Sequence, residues 1–457
     1  MKKILLLLTA LSCLVNLRSN AQLSGAYTAR LQHVLDSMCS LYHIKGASAA
    51  VHVPGAGTWK GVHGESYAGQ PVTTAMAFPL NSNTKTYIAA LMLRLQEDAK
   101  LQLSDTIGKW IHNQTNINGK VTIRQLLNHT SGLHSYTDNT AFGDSIEADF
   151  SRIWQPADML QFVKAPLFAP GTNWSYSNTN YLLAGMIIAQ VTGMSIEQAV
   201  RLNLLSPQGL ANTWFYPQEM PSATIPHFWF DDGAGGVVDG QVFGYTPEGF
   251  YSAANSAGAL FSTAEDNVMF WHKMNSAQIV NAASLSQWRQ MVPLSSSIGY
   301  GLGVFRYSNF NGHVVYEHGG SGAGALNENL VDSLTGVCIS VLTNQNSASN
   351  NILFAQIIGA LHKVTLSPPT AVYASSVWEG IILYPNPAQD VLNVSRTGAR
   401  AEGMYTINDQ LGRPVASGRL SADKTSIRLG ELPSGLYFLN VSDASGAKGA
   451  KAFYIRH

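Results

Sequence analysis

Strand-forming segments stand at the two ends of a long helical stretch, and this arrangement restricts the fold more than any other feature of the chain. Near the start, "GASAAVHV", the turn "PGAG" and "TWKGVHGES" read as a two-stranded hairpin, preceded by a helix around Tyr27 to Tyr42. A helix-rich middle runs from Thr84 to about Leu204. Within it, "NYLLAGMIIAQVTG" closes at Gly193, a helix-end signal, and Ser195-Ile196-Glu197-Gln198 reads as a capping box opening the next helix. After Ser256 the strands return as "YGLGVFRY", "GHVVYEHG" and "GVCISVLTN", followed by the helix "NILFAQIIGALHKV". Strands from such distant parts of a chain share one mostly antiparallel sheet with the helices inserted between them. Residues 22–366 are therefore expected to form an α+β domain.

The pattern breaks at "LSPPTAVYASSVWEG", whose proline pair and small residues place a linker at 367–379. Beyond it, "DVLNVS", "MYTIND", "PVASGRL", "TSIRL", "LYFLNVS" and "KAFYIRH" are short strands separated by turn residues, so 380–457 is expected to be a small β-sandwich. The first residues differ again. Lys2 and Lys3 precede an apolar run from Ile4 to Val15, and Ser19 and Ala21 give a small-x-small cleavage site, so 1–21 reads as a secretory signal peptide. The run is too short to span a bilayer, and no stable membrane span is expected.

Export bears on the cysteines. Cys39 and Cys338 remain after residue 21; one possible pair is no disulfide framework, and two buried thiols are expected. Charged residues make up only 12 % of the chain against 46 % apolar, which suits a large core, and no Lys/Arg run forms a basic stripe. Nucleic acid is therefore not expected as a partner. No Cys/His spacing resembles a zinc site, and "FDDGAGGVVDGQ" lacks the closing Glu of a calcium loop; neither a metal nor a cofactor is implied.

Chemistry concentrates in "FPLNSNTKTYIAALMLRLQ", where a loop becomes a helix. Tyr87, Ile88, Leu91, Met92 and Leu95 recur at helical spacing, predicting an amphipathic helix that starts beside Ser82. Residues three apart share a helix face, so Lys85 stands next to the Ser82 hydroxyl. Serine is a poor nucleophile unless a base or positive field acts on it, and a helix start with a nearby amine supplies both. Ser421-Lys424 and Ser445-Lys448 repeat the spacing in turns with no following helix.

Two further segments fit around that serine. Tyr176-Ser177-Asn178 lies in a constrained loop just before a helix, where a phenol near cations could act as a base. Its duplicate, Tyr307-Ser308-Asn309, falls between two strands and runs into the turn Asn311-Gly312. In "YEHGGSGAG", His318 ends an apolar strand, and Gly319 and Gly320 would let a ligand backbone approach closely. An oxyanion needs two N–H donors, for which the amides of Ser82 and Ser321 are the natural pair.

These three elements, in this order, resemble the penicillin-recognising serine hydrolases, in particular the group of class C β-lactamases, D-alanyl-D-alanine carboxypeptidases, D-aminopeptidases and related esterases. The likeness spans about Leu31 to Leu361 and includes "VTIRQLLNHTSGLHSYTD", "FAPGTNWSYSNTNYLLAG", "SAGALFSTAED" and "YGLGVF". It implies a β-lactamase/transpeptidase-like fold, with an antiparallel sheet flanked by helices plus a helical subdomain. It also implies an acyl-accepting Ser82, activation by Lys85 and Tyr176, an Asn178 that orients Lys85 and the substrate amide, and a His318 that supports Tyr176. His129 and His134 are implied to be fold residues, while Trp174 could line the pocket or pack. One departure is that Gly319 stands where many members carry a threonine whose hydroxyl helps hold the substrate carboxylate. This favours esters, or amides without an obligatory carboxylate.

The tail, with "LYPNPAQDVLNV", "LGRPVASG" and "LPSGLYFLNV", resembles the sorting modules of type IX secretion. That implies the type IX machinery as a partner, and passage through the periplasm to the cell surface or beyond. The whole reads as an exported serine hydrolase acting on a small-molecule or peptide substrate. A carboxylesterase or D-aminopeptidase of the same fold, or a non-catalytic peptidoglycan or β-lactam binder, are the alternatives.

Overall fold

Apolar strands that cannot satisfy their backbone alone must pair, and here the two ends of the domain pair with each other. The structure is a computed structural model that describes residues 23–346, 351–366, 381–396, 403–409, 414–421, 424–443 and 448–456. The expected signal peptide, the linker at 367–379 and Ser445 lie outside the described residues.

Helix α1 (Gly25–Leu41) leads into β1 (Gly46–Val53) and β2 (Gly57–Tyr67), the expected hairpin. The segment after Ser82 forms α2 (Thr84–Glu97), and α3 (Asn178–Thr192) follows the Tyr176 loop. Helix α4 (Ala264–Asn275) precedes the returning strands β3 (Ile298–Tyr300), β4 (Phe305–Phe310), β5 (His313–Glu317), β6 (Gly320–Gly322), β7 (Ala325–Asp332) and β8 (Cys338–Thr343), with α5 (Asn351–Leu366) after them. The sheet runs β2-β1-β8-β7-β5-β4-β3, with a two-residue strand at each edge and β6 pairing β7 alone. Its pairs are antiparallel, and β1 joins β8 through Ala47 opposite Thr343 to His52 opposite Cys338. The long-range closure inferred from sequence is thus the centre of the sheet.

One core packs on each face. On one side, α1 and α5 cover Leu31, Leu35, Ile339, Val341 and Leu361. On the other, α2, α3 and α4 build the larger core around Tyr87, Leu91, Leu183 and Trp271. Helix α2 departs from expectation. It is buried on every side from Thr84 to Leu93, because it is wedged between the sheet and the helical region, so its amphipathic stripe is only part of what it buries. Gly193 ends α3 in the left-handed conformation, as its position suggested. The expected capping box at Ser195 does not form, because the Ser195 hydroxyl donates to the Glu197 carboxylate instead of accepting a backbone N–H. Tyr307-Ser308-Asn309 lies inside β4, not between strands, and only Asn311-Gly312 makes the turn.

Cys39 and Cys338 are buried free thiols in separate cores. In the tail, a three-stranded and a four-stranded sheet enclose one core that includes Leu392, Ile407, Leu439 and Phe453. That is the small sandwich the strand pattern implied.

Candidate active site

Ser82 sits in a single 3-10 turn, Asn81–Asn83, that runs straight into α2. Asn81 holds a left-handed φ of 45°, a strained conformation for a side-chain-bearing residue. Its amide donates to the Ala325 carbonyl at 3.2 Å and ties the turn to β7. Ser82 is partly exposed at the floor of a cleft of about 310 Å³. Lys85, one helical turn on, is fully buried, with Nζ 2.9 Å from Ser82 Oγ and donating to the Ala257 carbonyl at 2.7 Å. Burial holds the Lys85 ammonium well below the usual lysine range.

The Tyr176 phenol comes from the loop before α3 and is hydrogen-bonded to the same serine. Lys85 Nζ stands 4.9 Å over its ring. The expectation of an acidified phenol does not hold. Burial pushes its pKa up, the Ser82 hydrogen bond only partly offsets that, and the nearby Glu317 adds to the rise. The loop is pinned by His129, whose Nδ1 accepts from the Ser177 amide at 3.2 Å and from the Asn180 side chain at 3.0 Å. His129 is thus a fold residue, as is His134, whose carbonyl accepts from Thr179. Trp174 packs on Tyr300 and His129 and lies outside the cleft wall.

Two expected contacts are absent. Asn178 points its amide at Thr137 Oγ1, 2.9 Å away, and not at Lys85, whose partners are already Ser82 and Ala257. It lines a second hollow of about 60 Å³ with Tyr136, Phe142, Phe250 and Ala257, which Ser82 and Ser321 also line. His318 does not bond Tyr176. Its Nδ1–H donates to the Gly319 carbonyl at 2.7 Å, which leaves Nε2 to accept the Tyr300 hydroxyl at 3.2 Å. Burial and the neighbouring Lys85 push His318 down to about 3, so the ring is neutral. Tyr300 and Ala257 are the groups that residue-level reading missed; "YGLGVF" and "SAGALFSTAED" carried them as wording without a role.

The glycines also serve a purpose other than the expected one. A Cβ on Gly320 would lie 2.4 Å from the Leu80 carbonyl and 2.7 Å from Asn81 Cβ, and one on Gly322 would lie 2.2 Å from Asn81 Oδ1. Both are bare because β6 presses directly on the turn that carries Ser82. That contact brings Ser321 beside Ser82, and both serines line both hollows. Gly319 leaves room for a carboxyl, since its Cβ would meet Glu328 Oε2 at 2.9 Å.

Ser82, Lys85 and Tyr176 are brought together on a β-lactamase/transpeptidase-like fold. Residues 30–360 match the beta-lactamase family model, so the chain belongs to that family, and residues 382–456 match the secretion system C-terminal sorting domain. The tail therefore marks the protein for export to the cell surface or beyond by the type IX machinery. Among relatives, Penicillin-binding protein 4 of Amycolatopsis lactamdurans is 27% identical over 362 residues, covering 74% of this chain and 91% of that protein. Esterase EstB of Burkholderia gladioli is 28% identical over 221 residues, 45% of this chain and 55% of the esterase. A D-stereospecific amidohydrolase from Streptomyces sp. superposes with a TM-score of 0.61 at 28% identity, covering 69% of this chain and 94% of its own. Among the described residues no single helix is long and apolar enough to cross a membrane.

Proposed function

We propose that the protein is a serine hydrolase acting through an acyl-Ser82 intermediate. The observation that carries this is one alcohol flanked by a desolvated amine 2.9 Å away and a hydrogen-bonded phenol. The neutral Lys85 amine takes the Ser82 proton as Oγ bonds to the substrate carbonyl carbon. The carbonyl electrons move to oxygen, which the amides of Ser82 and Ser321 receive. Tyr176, protonated at the start, gives its proton to the leaving group as that bond breaks, and is reprotonated from Lys85. Water then cleaves the ester by the reverse relay. His318 acts through Tyr300, fixing the wall behind the phenol, and Asn178 borders the smaller hollow.

The substrate is an ester or an amide without an obligatory carboxylate. Gly319 offers no hydroxyl, and a carboxyl group occupies the space beside it. The esterase and amidohydrolase among the relatives agree with this reading. Residues 1–21 are proposed to direct export through the periplasm, with 22–366 as the catalytic unit, 367–379 as the linker and 380–457 as the sorting unit.

Labelling with a fluorophosphonate and with a fluorescent penicillin, each against Ser82→Ala, tests the reading. Ser82-dependent fluorophosphonate labelling is expected. Its absence on folded protein would overturn the hydrolase and leave the non-catalytic binder.

A further inference from the structure

We propose that the smaller hollow is the acyl subsite, which takes a short, uncharged alkyl group whose length Phe250 limits. The proposal rests on reading Ser82 as the acyl acceptor; it names which part of the substrate each hollow receives and which acyl groups are preferred.

The two hollows share Ser82 and Ser321 and no other lining residue. A carbonyl carbon at the Ser82 hydroxyl, with its oxygen toward the amides of Ser82 and Ser321, therefore stands where they meet. Its two substituents then have one hollow each. Tyr176 decides which goes where, because it lines the larger hollow and not the smaller one. A positioned acid must lie within hydrogen-bond reach of the group it protonates. The leaving group thus belongs in the hollow of about 310 Å³, and the acyl chain in the one of about 60 Å³.

The wall of the smaller hollow sets what it accepts. No side chain lining it carries a charge, so a charged acyl group would lose its hydration without gaining an ionic partner. Polar groups in the wall already have partners in the protein. The Tyr136 hydroxyl donates to the Ala253 carbonyl at 2.9 Å, and the Asn178 amide donates to Thr137 Oγ1 at 2.9 Å. Tyr136, Phe142 and Phe250 supply the aromatic part of the lining. At about 15–30 Å³ for a water-sized group, the hollow holds roughly two to four methylenes.

Two of the three rings are fixed. Tyr136 and Phe142 are buried and meet edge to face at 5.0 Å, and Phe142 is backed by Phe162 at 5.5 Å. Phe250 is only half-buried, on the helix Pro247–Ala254. It is therefore the wall whose loss would lengthen the hollow with least damage to the core. Ala254, one turn further on the same helix, also lines the hollow, and a larger side chain there would fill it.

The test compares p-nitrophenyl acetate, butyrate and octanoate on the full chain. Butyrate is expected to exceed acetate in kcat/KM by about tenfold, as two buried methylenes allow, and to exceed octanoate by about tenfold or more. Phe250→Ala should raise the octanoate-to-butyrate ratio at least about tenfold, and Ala254→Leu should bring the butyrate-to-acetate ratio to one or below. Neither variant should move the ratio between p-nitrophenyl and 4-methylumbelliferyl butyrate, whose leaving groups lie in the larger hollow. Acyl ratios unchanged in both variants overturn the subsite, and so does a leaving-group ratio that moves as far as the acyl ratio. Variants that lose every activity equally reveal a purely structural wall and overturn it too. If no ester is turned over and Ser82 is not labelled, the hydrolase reading is what has failed. Binding of butyramide, followed by saturation-transfer NMR, then decides the hollow alone. Binding that Ala254→Leu abolishes supports it; no binding, or binding that Ala254→Leu leaves unchanged, overturns it.

Discussion

Replacing Gly320 by alanine tests whether the third motif serves the ligand or the nucleophile turn. The added Cβ would stand 2.4 Å from the Leu80 carbonyl, 2.5 Å from Asn327 Nδ2 and 2.7 Å from Asn81 Cβ. To reach even 3.0 Å, strand and turn must part by about 0.6 Å, and the obstructing atom is backbone, which cannot rotate away. Overpacking of this kind costs about 1–3 kcal/mol of stability. Displacing a catalytic group by about 1 Å costs about 10²-fold, or about 2.7 kcal/mol of barrier. Scaled to about 0.6 Å, Gly320→Ala should therefore lose about tenfold in kcat on the best p-nitrophenyl ester, with a lower melting temperature. Gly143→Ala is the control, because nothing lies within 4 Å of its added Cβ and it sits in a helix, where alanine is favoured. A Gly320→Ala protein with full kcat and an unchanged melting temperature would refute the argument. A rise in KM alone would return the glycine to the role of admitting substrate.

Other outcomes follow from the same geometry. Lys85→Met should lower kcat/KM by about 10²–10⁴-fold, the range for losing a positioned base, on a protein that stays folded. Lys85 has a folded-state pKa depressed by burial, so the unfolded chain binds the extra proton between that value and the ordinary one near 10.5. Stability should therefore rise with pH across that window, and Lys85→Met should remove that part of the slope in thermal melts. Tyr176→Phe should cost a similar factor of about 10²–10⁴, and more for amides, whose leaving group needs the proton, than for activated esters. Cys39, pushed up to about 12 by burial, and Cys338, raised likewise, should resist a thiol reagent until the protein is denatured.

Much of the domain's layout was written in the pattern of residues. Periodicity located the hairpin, the helix after Ser82 and the short strands of the tail, because each depends on neighbours within one element. Motif wording located Ser82, Lys85, Tyr176 and His318, since a helix start and a strand end each fix one side chain locally. Which atom meets which was another matter. Asn178 turned to Thr137 and His318 to Tyr300, because those partners arrive from segments 41 and 18 residues away. The protonation states were equally out of reach. Proximity in sequence suggested an acidified phenol, but burial of Tyr176 and Lys85, a property of the packed domain, favours the neutral form of both. The same holds for Gly319, which read as open space for a ligand until Glu328, brought in from the next strand but one, filled it. Sequence determines the elements and the reactive groups they carry, since backbone preference and side-chain chemistry are local. Only the folded molecule decides charge, hydrogen-bond partner and free volume, since each is set by what distant segments place beside a group and by how much water they remove.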